Sequence, residues 1–214
     1  MPRLVIEVFY VIMLIGDYYM KLTLDLNSEK DKARFYRLLP MYRTFSFIWG
    51  GFSFDTDDED VKNIETALNL KNRKKRIEYV IDIACNRLDT QFKCNMNPCG
   101  FECGKCIAHR KNGIDRLNGC CNWCRFQSES GCTTKNVACK SFFCSEVKRV
   151  YKTMEFSDLK ILKVLSWRQR CILKSDYFSS KEEVVGDLYS GIITVGVLRM
   201  ISRLIVVTLK RMTK

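Results

Sequence analysis

Histidine is nearly missing from this chain: His109 is the single one among 214 residues. That scarcity excludes the H-E-x-x-H helix of metallopeptidases, and a Cys–His nucleophile pair would have to use the same imidazole. Lying between Ile107-Ala108 and Arg110-Lys111, His109 reads as a surface residue. No glycine-rich phosphate loop occurs either, so no catalytic residue is assigned. Three prolines and no Gly/Ser-rich or Gln-rich stretch leave neither a flexible linker nor a low-complexity tail, and there is no internal repeat.

Long apolar runs are lacking too. The stretch from Leu188 to Leu198 is uncharged for 11 residues, short of the roughly 18 to 20 a spanning helix needs, and no transmembrane span is expected. Val8 to Ile15 are apolar and follow Arg3, but Glu7 adjoins them and Gly16-Asp17-Tyr18-Tyr19 offers no small-residue cleavage site. The expectation is therefore a chain without a signal peptide and a cytoplasmic location.

Acidic residues are the minority charge. Thirty-six Lys plus Arg stand against 24 Asp plus Glu, a net +12, which favours nucleic acid, anionic lipid or an acidic protein as partner. Eight thiolates holding two divalent zinc ions would lower this to about +8, because metal-bound cysteine is deprotonated.

Cysteine, by contrast, is abundant. Ten of twelve lie between residues 94 and 144: Cys94, Cys99, Cys103, Cys106, Cys120, Cys121, Cys124, Cys132, Cys139 and Cys144. No hydrophobic core requires that density, whereas metal ligation does. Cys103-Gly104-Lys105-Cys106 and Cys121-Asn122-Trp123-Cys124 are two C-x2-C knuckles separated by 14 residues. Each such turn aims two sulfurs at one ion, and two turns complete a tetrahedron. Gly100, Gly104 and Gly119 suit tight turns. The remaining six cysteines can supply a second site, without the sequence choosing which four. Cys85 and Cys171, each alone on a helix, read as small buried hydrophobes.

Zinc is the expected cofactor and an iron–sulfur cluster the alternative, since both accept four thiolates. Cys99-x3-Cys103-x2-Cys106 has the cluster-binding spacing of radical SAM enzymes. Only 108 residues follow it, too few for their barrel. A further resemblance runs through Gly119-Cys120-Cys121, Cys124-Arg125-Phe126, Gly131-Cys132 and Cys139-Lys140-Ser141-Phe142-Phe143-Cys144. Residues 99 to 144 thus resemble the bacterial family of zinc- or iron-chelating cysteine-rich domains of the YkgJ type. Where that family carries Arg-Pro before the cysteine, this chain has Asn136-Val137-Ala138 ahead of Cys139. The resemblance implies metal chelation without naming a reaction.

Lys105, Arg110, Lys111, Arg116, Arg125, Lys135 and Lys140 outnumber Asp115 and Glu129 in the same region. Trp123 and Phe126 are interleaved, as where cations meet phosphates and rings stack on bases. Lys105, Arg110, Lys111, Arg116, Trp123 and Arg125 are the candidate nucleic-acid contacts. Another basic run, Lys71 with Arg73 to Arg76, reads as a solvated helix end.

Elsewhere the pattern is of ordinary elements. Met20, Leu22, Leu24 and Leu26 alternate with polar residues as in a half-buried strand. Ser28 with Asp31 opens a charged helix that Pro40 should end. Phe45-Ser46-Phe47 and Phe52-Ser53-Phe54 around Gly50-Gly51 suggest a hairpin. Asp55, Asp57, Asp58, Glu59 and Asp60 lack the glycine and final glutamate of a calcium loop, and read instead as carboxylates at the start of a helix over 61–70.

A second helix from Arg73 should bury Ile77, Val80, Ile81 and Ala84. Phe143, Val147, Val150, Tyr151 and Met154 keep a helical period, and Ser157 is placed as the cap of a helix carrying Leu159, Leu162 and Leu165. Ser180 with Glu183 should open a long last helix whose stripe of Ile193, Val197, Ile201, Leu204, Ile205 and Leu209 packs inward. Membrane-surface contact through residues 188–212 is the alternative.

The expected fold is α+β, mainly helical, with a small N-terminal β element and an irregular cysteine-rich metal-binding module. Residues 1–93 form a mixed region, 94–144 the module, and 145–214 a helical region packing on the first. The expected function is a cysteine-ligated basic binding module for nucleic acid or an acidic partner. The alternatives are an iron–sulfur redox or maturation protein, which any enzymatic role would require, and a disulfide-rich secreted protein.

Overall fold

The computed structural model describes residues 21–26, 28–46, 51–91, 101–102, 105–106, 126–128, 131–143, 145–150, 152–191, 198, 201 and 205. The chain is mainly helical and divides into two units between Asn69 and Leu70. The boundary expected at 93/94 falls outside the described residues.

In the first unit β1 (Lys21–Asp25), α1 (Glu29–Phe45), β2 (Gly51–Asp55) and α2 (Glu59–Asn69) follow one another. The strands pair in parallel, Lys21 opposite Gly51 through Asp25 opposite Asp55. This corrects the expected hairpin: Phe45 ends α1, Ser46 is its buried C-cap, and the Phe52 strand pairs with β1. Parallel strands need a long crossover, and α1 is that crossover.

The helix also runs past Pro40, which was expected to stop it. Phe35, Leu39 and Tyr42 form its buried stripe. Phe35 meets Phe54 at a 4.9 Å ring separation and Tyr42 meets Phe52 at 6.4 Å. Each buried ring is worth roughly 1.5–3 kcal/mol, against about 3 kcal/mol for a proline in a helix interior. Packing on both sides of Pro40 therefore carries the helix through.

The outer edge of β2 is closed by side chains of α2. Asn69 accepts from Phe52 N–H at 2.7 Å and donates to Phe52 C=O at 2.9 Å, and Glu65 accepts from Phe54 N–H at 2.9 Å. Two residues one helical turn apart thus take the place of a third strand. The acidic cluster serves the same helix: Asp58 Oδ1 accepts from the N–H groups of Asp60 and Val61 at 2.9 and 3.3 Å. Carboxylates at this positive end are where the macrodipole favours them.

In the second unit α3 (Arg73–Thr90), capped by Asn72, is the central element. Against it lie α4 (Val137–Lys140), a 3-10 turn (Lys160–Val164) and α7 (Lys181–Ser190), while α6 (Trp167–Ser175) packs on α4 and α7. Ile77, Val80, Ile81 and Ala84 are buried as the periodicity predicts, with Cys85 and Leu88 continuing the stripe.

Three expected helices are shorter than their apolar period. The first, α5 (Ser145–Val150), stops before Met154, whose N–H bonds Gln91 Oε1 at 2.8 Å. Ser157 caps nothing; Leu159, Leu162 and Leu165 are buried by the 3-10 turn and its flanks. The cap belongs to Ser166, which makes a reciprocal box with Gln169 at the start of α6. Ser180 and Glu183 do box the start of α7, but Gly191, at φ 68°, ends it after Ser190. Only glycine enters that left-handed conformation without a Cβ penalty.

Beyond it Leu198, Ile201 and Ile205 are exposed at 64, 45 and 53%. The stripe expected to pack inward thus has its two described members, Ile201 and Ile205, on the surface. No helix among the described residues is long and apolar enough to cross a membrane.

Replacing Asn69 by Ala strands both polar groups of buried Phe52 and is expected to lower stability by about 1–3 kcal/mol. Chemical denaturation followed by circular dichroism would measure it, and a wild-type midpoint would show that the edge needs no such partner.

Candidate metal centre

The cysteine region enters the described structure at two short antiparallel pairs. In one, β3 (Phe101–Glu102) meets β4 (Lys105–Cys106), with Phe101 opposite Cys106 and Glu102 opposite Lys105. In the other, β5 (Gln127–Ser128) meets β6 (Gly131–Cys132), with Gln127 opposite Cys132 and Ser128 opposite Gly131. Two residues separate the strands in each case, the spacing of a tight hairpin. Both second strands end on a cysteine, so the backbones of Cys106 and Cys132 occupy matching positions. The C-x2-C sequence Cys103 to Cys106 spans such a connection.

From β6 onward the chain is fastened residue by residue. Phe126 C=O accepts from both N–H and Oγ1 of Thr133, at 2.9 and 3.1 Å. Thr134, buried, donates Oγ1 to Ser179 C=O at 3.0 Å. Asn136, with no exposed surface, donates Nδ2 to the carbonyls of Asp176 and Ser179 at 2.7 and 3.3 Å. Its Oδ1 accepts from Cys139 N–H at 3.1 Å and so caps α4. A buried amide left unbonded is costly, and this one is satisfied at both ends.

Cys139 sits on the first turns of α4, half-buried, facing the loop between α6 and α7. Phe178 N–H donates to its Sγ at 3.2 Å. Phe178 holds φ at 61°, the one positive value at a non-glycine residue among those described. A side chain there is strained by about 1–3 kcal/mol and persists only where its surroundings impose it. The surroundings are the buried Asp176 carboxylate accepting from Ser179 Oγ, and the Ser179 carbonyl held by Thr134 and Asn136. An amide aimed at sulfur stabilises thiolate, which is why such bonds surround metal-bound cysteine. The Tyr177 phenol is raised above its ordinary range, by burial first and by negative charge on Cys139 second.

Comparison with protein families, curated proteins and solved structures finds no match for the chain. The site is therefore read from its own chemistry.

Of the expected ligands, Cys139 is described with its side chain, and Cys106 and Cys132 by their backbone strands. Cys94, Cys99, Cys103, Cys120, Cys121, Cys124 and Cys144 lie outside the described residues. Among the described residues no three His, Cys, Asp or Glu side chains converge on a point that would hold a metal. Lys105 lies in β4, and Arg110, Lys111, Arg116, Trp123 and Arg125 lie outside the described residues.

Lys140, counted in the basic region, is paired with Asp89 of α3 at 2.5 Å. The run at Lys71 to Arg76 is mostly exposed. Arg76 turns back to donate Nε and Nη2 to Leu70 C=O at 3.0 and 2.8 Å, and Arg73 lies 5.4 Å over the Tyr189 ring.

Cys85 is a buried thiol as expected, 1% exposed on α3. Burial pushes its pKa up to about 12, slightly offset by Lys140 and aided by Asp89 and Asp82. Cys171 differs from the expectation: it is half-buried and lines a surface groove. Sequence reasoning passed over Asn136, Thr134, Asp176 and Phe178. The Asn-x-x-Cys spacing of Asn136 and Cys139, that of an N-cap, was the available signal for the first.

Two outcomes are expected. Asn136→Ala should destabilise the second unit by about 2–4 kcal/mol, because two carbonyls and a helix cap lose their partner together. A denaturation midpoint within error of wild type would contradict that. For Cys85, the folded state favours the protonated thiol, so its contribution to stability is whole below the ordinary value near 9 and is lost as pH rises toward 12. Iodoacetamide at about pH 8.5 should leave Cys85 unmodified in native protein and modify it on unfolding, as read by peptide mass spectrometry.

Proposed function

We propose that this protein is a cysteine-ligated metalloprotein, zinc or iron–sulfur, that serves as a basic binding module for nucleic acid or another acidic partner. The observation that carries the metal reading is the amide of Phe178, held in a strained conformation with its N–H on Cys139 Sγ. Strain retained to place a donor on sulfur has a use if that sulfur is a thiolate ligand. The hairpin backbones of Cys106 and Cys132 and the resemblance to chelating cysteine-rich domains support the same reading.

The binding reading rests on charge. Beyond the net +12, exposed Arg73, Lys74 and Lys75 crowd the first turn of α3, which has no acidic residue. Cations at the positive end of a helix are unfavourable by roughly 0.3–1 kcal/mol each. An anionic partner would offset that penalty.

The decisive experiment is elemental analysis of anaerobically purified protein, with Cys139→Ser, Cys103→Ser and Cys121→Ser beside wild type. About two metal ions per chain are expected, reduced in the variants, with colourless protein for zinc and visible charge-transfer absorption for iron–sulfur. Each variant should also unfold more readily, because ligation energy is folding energy. Metal-free wild type, or the same metal content in all three variants, would overturn the ligand assignment.

A further inference from the structure

A groove with a volume of 330 Å³ opens beside α6. Its walls come from one helical face: Trp167, Arg170, Cys171 and Lys174 follow the i, i+3, i+4, i+7 pattern. The opposite face of α6, with Gln169, Ile172 and Leu173, is buried. Gln169 fixes this rotation, since its side chain accepts from Ser166 N–H at 2.9 Å and donates to Leu188 C=O at 3.1 Å. Leu159, Leu162 and Phe156 supply the apolar floor, and Lys163 adds a third cation.

Three features of the groove point to a ligand. Trp167 is 71% exposed, the most exposed of the large apolar side chains described. Arg170 Nε is buried without a hydrogen-bond partner among the described residues. From Leu159 to Ser175 there is no carboxylate, while Lys160, Lys163, Arg168, Arg170 and Lys174 are all basic. Lys174 rests over the Phe156 ring at 5.1 Å, so one wall already joins a cation to an aromatic surface.

The combination asks for a ligand that is both planar and anionic. The volume is at the small end of ligand sites, enough for a single ring system, and too small for the row of anchors an amphipathic helix inserts. A nucleotide meets both conditions, because its base stacks on an exposed indole while its phosphates take the surrounding cations.

We propose that this groove holds one base of single-stranded nucleic acid, with Trp167 as its stacking face and Lys163, Arg170 and Lys174 on the neighbouring phosphates. The assignment deepens the nucleic-acid reading above and depends on it.

The test is fluorescence anisotropy of the full chain with a labelled oligo(dT) of about ten nucleotides at low and moderate salt. Wild type should bind, and Trp167→Ala should weaken binding by about tenfold or more, with Trp167→Phe retaining most of it. Arg170→Gln should reduce the slope of log affinity against log salt by about one. Bound oligonucleotide should also protect Cys171 from alkylation. Circular dichroism melting of each variant separates loss of contact from loss of fold.

Oligonucleotide binding that Trp167→Ala leaves unchanged in a folded variant would overturn the groove assignment and leave the nucleic-acid reading standing. No binding by wild type at low salt would overturn both. Trp167-dependent binding of a labelled Glu-rich peptide, in place of the oligonucleotide, would make the groove a protein-docking site and end this proposal.

Discussion

The side chain of Asn136 is the joint on which the described part of the cysteine region depends. One amide bonds two carbonyls of the loop between α6 and α7 and caps the helix that carries Cys139. Thr134 adds a parallel bond to Ser179. The loop is thereby pinned on the same side chains that position the cysteine, and its amide meets sulfur as a geometric result. Without the joint, the loop that carries Phe178 keeps the Thr134 and Asp176 bonds to Ser179, and Cys139 loses its helix cap.

Polar atoms carry a large share of the arrangement in both units. Asn69 and Glu65 finish a sheet that has only two strands, and Gln169 sets the rotation of α6. In each case one side chain satisfies buried backbone groups that would otherwise face an apolar interior unbonded. Ion pairs are secondary: Asp82 with Lys181 and Asp89 with Lys140 join α7 and α4 to α3, but they are partly exposed and weak. Their effect on function is subtractive, since Lys140 is spent on structure and contributes less to any basic surface.

The legible parts of the fold were those with a local cause. The helix from Arg73 declared itself by its apolar period, and the starts at Ser28 and Ser180 by capping residues three positions ahead of an acid. Where an element's extent depended on a distant partner, the local signal misled. Pro40 reads as a stop, but Phe35 and Tyr42 on either side of it pack on Phe54 and Phe52 and the helix continues. Phe52-Ser53-Phe54 looks like half a hairpin because alternation reveals a strand and not its neighbour. Ser166, unlike Ser157, has a glutamine three positions on, and that local capping box was the signal passed over.

Composition and spacing by themselves determined that sulfur is concentrated in one segment, that basic charge exceeds acidic, and that most elements are helices. These are properties of the chain's own chemistry and need no folding to be true. Tertiary structure decided the parallel pairing of β1 with β2 and the exposure of Trp167 beside three cations. It also decided the amide that Phe178 presents to Cys139, 39 residues away in sequence. Those facts join residues far apart along the chain, and such contacts arise from packing and the satisfaction of buried polar groups, which no local pattern encodes.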